Sequence, residues 1–344
     1  SSDVSQVMSF NWLRSASMNH LSAPDQKELL DTLETGQRIM PKVNVEAMSN
    51  LKLARFVSAD MMSDGDLATM KETAQQVKAL VRARRGNPDM PVRALLVNAT
   101  ELGGGVAEMR PDSVMVLRDL GFTADWAVID GCGRFYDSTV HIHEAIQNPN
   151  YVPLSDSDYE VLQMVTIHNV NRFHCEKLLS NVDVLWIDDP QPLGMIPLIR
   201  VLYPHLVVVW RCHIHAHPQE VPVHAACASD YSVQAYVGGV LQGNIDATRD
   251  HLWCRYLTDL GVNVSSLTAA DYRPHLAVFH TAEFAKGLDV QTVPVHLMGP
   301  AINPIAVKNM DLSRSFLAAT MYKFGVIPSP SPDVPLPPVV MQVS

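Results

Sequence analysis

Apolar and polar positions along this chain follow two rhythms, and the change between them falls near Pro91. Before it, apolar residues recur at helical spacing. The stretch "SAPDQKELLDTLETGQRI" offers Ser22 as N-cap, Pro24 in the first turn, Leu29, Leu30 and Leu33 on one face, and Gly36 as a stop. "DGDLATMKETAQQVKALVRARRG" repeats the scheme: Asp64 or Asp66 caps it, Leu67, Met70, Ala74, Val77 and Val81 form the stripe, and Gly86 ends it. After Pro91, short apolar runs alternate with helical segments. Strands are predicted over 92–99, 124–131, 182–190, 206–214, 275–281 and 290–298. Helices are predicted over 107–121 and 156–180 and across "PLGMIPLIRVLYP". Between 216 and 274 only "RDHLWCRYLTDLG" (249–261) reads as a helix. Near-continuous Val/Leu/Ile strands separated by helices imply βαβ units with both sheet faces covered. The predicted fold class is α/β, a Rossmann-like parallel sheet flanked by helices and preceded by a helical N-terminal segment.

Composition narrows the function. The formal net charge is −10, and the one compact basic block is "RARRG" at Arg82–Gly86. A nucleic-acid footprint is normally basic, so nucleic acid is not expected as a partner. The block itself reads as a solvated helix end, where cations meet the negative end of the helix dipole. No apolar run reaches the roughly 18–20 residues that span a bilayer, and "LIRVLYPHLVVVW" is broken by Arg200, Pro204 and His205. No membrane span is expected. The five cysteines (132, 175, 212, 227, 254) form no CxxC pair. An odd set of isolated thiols fits a reducing compartment, cytoplasmic or organellar, with the mitochondrial matrix among the candidates.

The candidate chemistry starts at "LLVNATELGGGVAEM", where three glycines join a predicted strand to a predicted helix. Gly103, Gly104 and Gly105 permit close backbone approach, and the following helix N-terminus favours an anion or a hydroxyl-rich ligand. The same turn also reads as a plain tight corner. The dinucleotide fingerprint and the Walker pattern are both absent, which argues against NAD and ATP; no cofactor is expected. A second cluster, "WRCHIHAHP", sets His213, His215 and His217 in alternation, so on a strand all three face one side, as zinc ligands can. Asp188 and Asp189 could complete such a site, giving a metal-dependent hydrolase as one alternative. Asp183, Asp188 and Asp189 also read simply as acids at strand ends. That edge is where open α/β sheets bind ligands.

Six segments in order resemble the trehalose phosphorylase and trehalose glycosyltransferring synthase group, retaining enzymes of glycosyltransferase family four. They are "VNATELGGGVAEM", "LGFTADWAVIDGCGRFYDSTVHIHEAIQ", "VDVLWIDDPQPLGMI", "VVVWRCHIH", "HLMGPAINPIAVKN" and "PPVVMQVS". The resemblance covers roughly residues 92–215 and 275–344. With the helical pattern read over 1–90 as an extension, it implies the acceptor-side Rossmann-like domain over 91–327 and, after a Pro-rich linker, the first strand of a second domain over 328–344. In that two-domain architecture the donor sits on the second domain, so the 344 residues are expected to be inactive alone.

The resemblance also implies which residues line a sugar or sugar-phosphate site: Gly103, Gly104, Gly105, Glu108, His143, Asp189, Gln191, Arg211 and His213. Gln147, Lys308 and Asn309 also match. At other motif positions the chain departs from the group: Val140 stands for Lys, Glu144 for Asn, Asp188 for His, and His215 and Asn303 each for Asp. An unpaired polar partner costs about 1–3 kcal/mol, against the roughly 4 kcal/mol of a millimolar ligand. The expectation is therefore a degenerate acceptor domain, with no catalytic residue assigned. The alternative is a non-catalytic scaffold or accessory subunit docking protein partners in a larger assembly.

Overall fold

The computed structural model describes residues 10–16, 18, 21–36, 42–49, 51–54, 62–101, 104–147, 154–214, 237, 240–241, 243, 252–286 and 292–298. Six parallel strands form one sheet: β1 (Arg93–Asn98), β2 (Thr123–Val128), β3 (Val184–Asp188), β4 (Val207–Cys212), β5 (Leu276–Phe279) and β6 (Val295–Leu297). Their spatial order is β2-β1-β3-β4-β5-β6. The direction of winding reverses between β1 and β3, the position where such sheets open a crevice at their carboxyl ends. The expected α/β class and parallel sheet are what the chain forms.

Successive strand residues point to opposite faces, and each face has its own core. Leu95, Val97, Leu185, Ile187, Val208, Trp210, Ala277 and Phe279 meet the central helix on one side. Leu96, Ala124 and Trp126 meet Ala107, Val114 and Met115 on the other. The first side is covered by α1 (Phe10–Ser15), α2 (Ala23–Gly36), α5 (Gly133–Gln147), α6 (Asp156–Cys175), α7 (Met195–Leu202) and α8 (Leu252–Asp259). The second is covered by α4 (Gly104–Asp119). Helix α6 is buried at every position from 160 to 173, polar ones such as Gln163, His168, Asn169 and Arg172 included, so its exposure shows no amphipathic stripe. Its start is fixed by a capping box: the Ser155 side chain accepts from the Asp158 backbone, and Asp158 accepts in return from Ser155.

The N-terminal helices join the same cores. Leu29 and Leu33 of α2 lie in the larger cluster. Val43, Val45 and Leu51 lie in the smaller one, and the Val43 backbone donates to Trp126 O. Helix α3 (Asp64–Arg85) departs from its predicted details. Its cap is Ser63, not Asp64 or Asp66, with Asp66 closing the box as the third helical residue. Its buried face holds Ala74 and Lys78, while Val77 is 40% exposed. The reason is a carbonyl at the end of α4: Lys78 Nζ donates to Leu120 O at 2.7 Å and lies 5.5 Å from the Phe122 ring. A lysine stem covers apolar surface as well as valine does, and its head satisfies an orphan helix-end carbonyl.

Several elements have other bounds than expected. Helix α4 begins at Gly104, three residues before the predicted start, so Gly104 and Gly105 are its first turn. Helix α5, which periodicity did not pick out, runs Gly133–Gln147. Within the hard-to-read 216–274, α8 confirms the helical reading of 249–261, and α9 (Ala269–Tyr272) precedes β5. One further short helix, α10 (Ala282–Ala285), follows β5. The predicted Pro-rich linker and final strand, along with Lys308, Asn309 and Asn303, lie outside the described residues. Among the described residues, no helix is long and apolar enough to cross a membrane.

Candidate functional site

Strand register sets up the carboxyl-terminal edge. Asp188 ends β3 and pairs with Arg211 of β4, so the two side chains share a face. That face is covered by α4, which supplies Arg110. Arg110 Nη2 lies 2.5 Å from Asp188 Oδ2, and Arg211 Nη1 lies 3.4 Å from Oδ1. Trp186 Nε1 also donates to Oδ1, at 3.1 Å. Asp188, Arg110 and Arg211 are all buried, at 0%, 5% and 5% exposure. Burial pushes the Asp188 carboxyl up and the Arg110 guanidinium down, and their mutual attraction opposes both shifts. A carboxylate between two guanidiniums is the stable state, because arginine does not give up its proton.

One residue on, the chain turns. Asp189 has φ +68, a left-handed conformation uncommon outside glycine. The turn is held by Asp189 N donating to Arg211 O at 2.9 Å and Trp210 Nε1 donating to Asp189 O at 3.0 Å. It aims the two adjacent carboxylates at different partners. Asp189 Oδ1 lies 2.6 Å from His213 Nδ1. The expected pair of neighbouring acids is therefore split between different partners, Asp188 with two arginines and Asp189 with a histidine.

Three histidines gather around that contact. The His143 ring, from α5, is 6.4 Å from the His213 ring, and His280, just past β5, is 6.1 Å from it. His280 Nε2 is also 3.0 Å from Arg211 Nη2. The Asp189 carboxylate against its ring holds the His213 imidazole above its usual range. Desolvation holds His143 and His280 below theirs. The edge thus gathers a carboxylate and three imidazoles. Such a set can donate to and accept from sugar hydroxyls.

The residues singled out from sequence divide clearly. Asp189, Arg211, His213 and His143 come together. Gln191 lies in the turn after Asp189, half-buried, with Oε1 buried and lacking a hydrogen-bond partner. Glu108 is exposed on α4. The space a Gly105 side chain would fill is open, with no atom within 4 Å, so the fold itself does not require glycine there. Gly103 lies outside the described residues, as do His215 and His217. Among the described residues, no group of three or more His, Cys, Asp or Glu side chains could hold a metal ion. Sequence reasoning missed Arg110 and His280. Register carried the signal for the second: Cys212 pairs with Phe279, so His280 must sit beside His213. Arg110 could have been noticed as a charge inside the otherwise apolar stripe of α4.

A second polar knot follows β2. Asp130 lies 3.0 Å from His168 Nε2 and 3.5 Å from Arg172 Nη1, both on α6. Asn169 accepts from Asp130 N and donates to Asp130 O, each at 2.7 Å. These bonds fix the loop after β2 to the buried helix.

Residues 96–236 match the family described as trehalose synthase, N-terminal domain. The trehalose synthase of Thermococcus litoralis is 28% identical over 234 residues, which is 67% of this chain and 45% of that protein. The trehalose synthase of Rubrobacter xylanophilus is 27% identical over 237 residues, 68% of this chain and 46% of that protein. A trehalose phosphorylase from Pleurotus pulmonarius is 28% identical over 185 residues, 52% of this chain and 25% of that protein. The chain thus spans a little under half the length of the synthases it matches. Over that stretch it is similar to the N-terminal half of a trehalose synthase-like protein.

Proposed function

We propose that this chain supplies the acceptor-sugar wall of a trehalose synthase- or phosphorylase-type cleft, in a degenerate form that transfers no sugar as residues 1–344 alone. The observation that carries the reading is the Asp189–His213–His143 cluster on the carboxyl edge of a parallel sheet, inside the stretch that matches the trehalose synthase domain. Asp189 and Gln191 accept from sugar hydroxyls, and His213 and His143, side by side, donate to or accept from them. The open space at Gly105 leaves backbone free for a ligand to approach.

The same geometry supports the loss of catalysis. Asp188, where the resembled group has His, sits against Arg211, whose remaining Nη faces His280. A guanidinium that would otherwise neutralise a leaving phosphate is 5% exposed and engaged inward. Glycosyl transfer needs charge neutralisation and alignment of two reactants, and this sheet edge offers one wall of a cleft. An accessory role in a larger assembly follows from the same altered lining and is the companion reading. The test is an assay of purified residues 1–344 for trehalose formation from nucleoside diphosphate glucose and glucose, and for trehalose phosphorolysis. No product above a protein-free control is the expected result. Measurable turnover, abolished by Asp189→Asn, overturns the reading.

A further inference from the structure

The carboxyl edge leaves unexplained the charge collected at the opposite end of the strands. Arg84 and Arg85 end α3, and the "RARRG" block is not simply a solvated helix end. Arg85 Nε lies 2.5 Å from Asp183 Oδ1, just before β3, and Arg85 Nη2 donates to Val182 O at 3.2 Å. The backbone of Arg93, which opens β1, donates to the other Asp183 oxygen at 2.8 Å. In the last turn of α7, Arg200 donates from Nε to Arg273 O and from Nη2 to Ala270 O, each at 2.9 Å. His275 lies just before β5 and accepts from Val208 N at 3.0 Å, while His205 is exposed in the turn before β4. Exposed Arg84 lies within electrostatic reach of Arg200, His205 and His275, and Arg273 within reach of Arg200.

Two acids share this edge. Asp183 is buried against Arg85 and the Arg93 amide. Asp271 Oδ2 accepts from Thr268 N and Oγ1 and keeps its charge, which acts on Arg200. The three guanidiniums of Arg84, Arg200 and Arg273 outnumber that one half-exposed acid and leave a net cationic surface on a chain whose formal charge is −10.

We propose that this amino-terminal edge, centred on Arg84, Arg200 and Arg273, is a docking surface for a carboxylate-rich protein segment. Guanidinium forks match carboxylates in geometry, and Arg200 is held in place by its two backbone bonds. The overall negative charge repels a long polyanion such as nucleic acid at a distance, yet a short acidic segment meets the local field. The nearby aromatic residues, Tyr203 and Tyr272, are buried and offer no stacking platform for bases. Strands of this length separate the two sheet edges by about 20 Å, so a partner here leaves the candidate sugar crevice open.

The experiment uses residues 1–344 and fluorescence anisotropy with two labelled probes, a glutamate-rich peptide and a single-stranded oligonucleotide of equal net charge. The peptide is expected to bind more tightly than the oligonucleotide, with affinity falling as salt rises. Arg84→Glu/Arg273→Glu should weaken peptide binding about tenfold or more. Lys27→Glu, at an exposed position of α2, should leave it unchanged. Should charge reversal unfold the protein, Arg84→Gln/Arg273→Gln provides the same comparison with smaller loss. Absence of peptide binding by the unaltered chain, tighter oligonucleotide binding, or equal peptide binding by a folded variant overturns the proposal.

Discussion

Replacing Asp188 by Asn removes one negative charge from between two buried guanidiniums while nearly preserving shape. The carboxylate oxygens lie 2.5 Å from Arg110 Nη2 and 3.4 Å from Arg211 Nη1, in a site where none of the three residues is more than 5% exposed. Unit charges about 4 Å apart attract by roughly 4 kcal/mol at an effective dielectric constant of about 20. Desolvation already offsets much of that attraction in the intact protein. Once Asp188 is gone, however, two cations remain buried and repel each other. Breaking a buried pair in this way costs about 3–5 kcal/mol, a large share of the roughly 5–15 kcal/mol that holds a domain folded. Equilibrium denaturation followed by tryptophan fluorescence suits the measurement, because Trp126 and Trp210 are fully buried. The midpoint should fall sharply with little change in slope. As a control, Lys52→Met breaks an exposed 3.7 Å pair with Asp119 and should cost below about 1 kcal/mol. Adding Arg110→Met to Asp188→Asn should cost less than the two separate changes together, since the second removes a charge the first left unpaired. If Asp188→Asn costs less than about 1 kcal/mol, the buried network is not what fixes this edge.

Two further outcomes follow from named contacts. The Asp189 carboxylate, 2.6 Å from the His213 ring, raises the His213 pKa, so Asp189→Asn should lower it, read from the ring signals in an NMR titration. With the pKa raised in the folded state, the pair's stabilisation is fully present below the unfolded value of about 6.5 and is lost as pH rises through the folded value; the Asp189→Asn variant should lack that pH-dependent loss. Gly243 and Gly86 both have positive φ, +72 and +67, but a side-chain carbon at Gly243 would lie 2.0 Å from Ala269 O, whereas at Gly86 nothing lies within 4 Å. Thermal melts should therefore show Gly86→Ala losing only the left-handed strain of about 1–2 kcal/mol, with Gly243→Ala losing clearly more. Equal losses would show that the contact at Gly243 relaxes freely.

The amino-acid order alone determined the layer architecture. Val/Leu/Ile runs broken by helical segments can bury both faces only as parallel strands covered by helices, and all six strand centres fall inside their predicted ranges. Gly86 marked a helix end for a local reason, a left-handed cap that glycine tolerates and other residues resist. Asp189, Arg211 and His213 were legible as an edge cluster because each follows or ends an apolar run. The pairing within that cluster was not legible. Asp188 and Asp189 are chemically identical and adjacent, and only strand register and a left-handed turn assign one to two arginines and the other to histidine. Arg110 and His280 come from segments far apart in the chain, so no local pattern could join them to the site. Lys78 shows the same limit inside a helix: spacing predicted Val77 inward, but an unsatisfied carbonyl on a different element rotated the face. Local sequence decides what a segment can be; which polar groups must answer each other is decided when distant segments are packed and water is driven out.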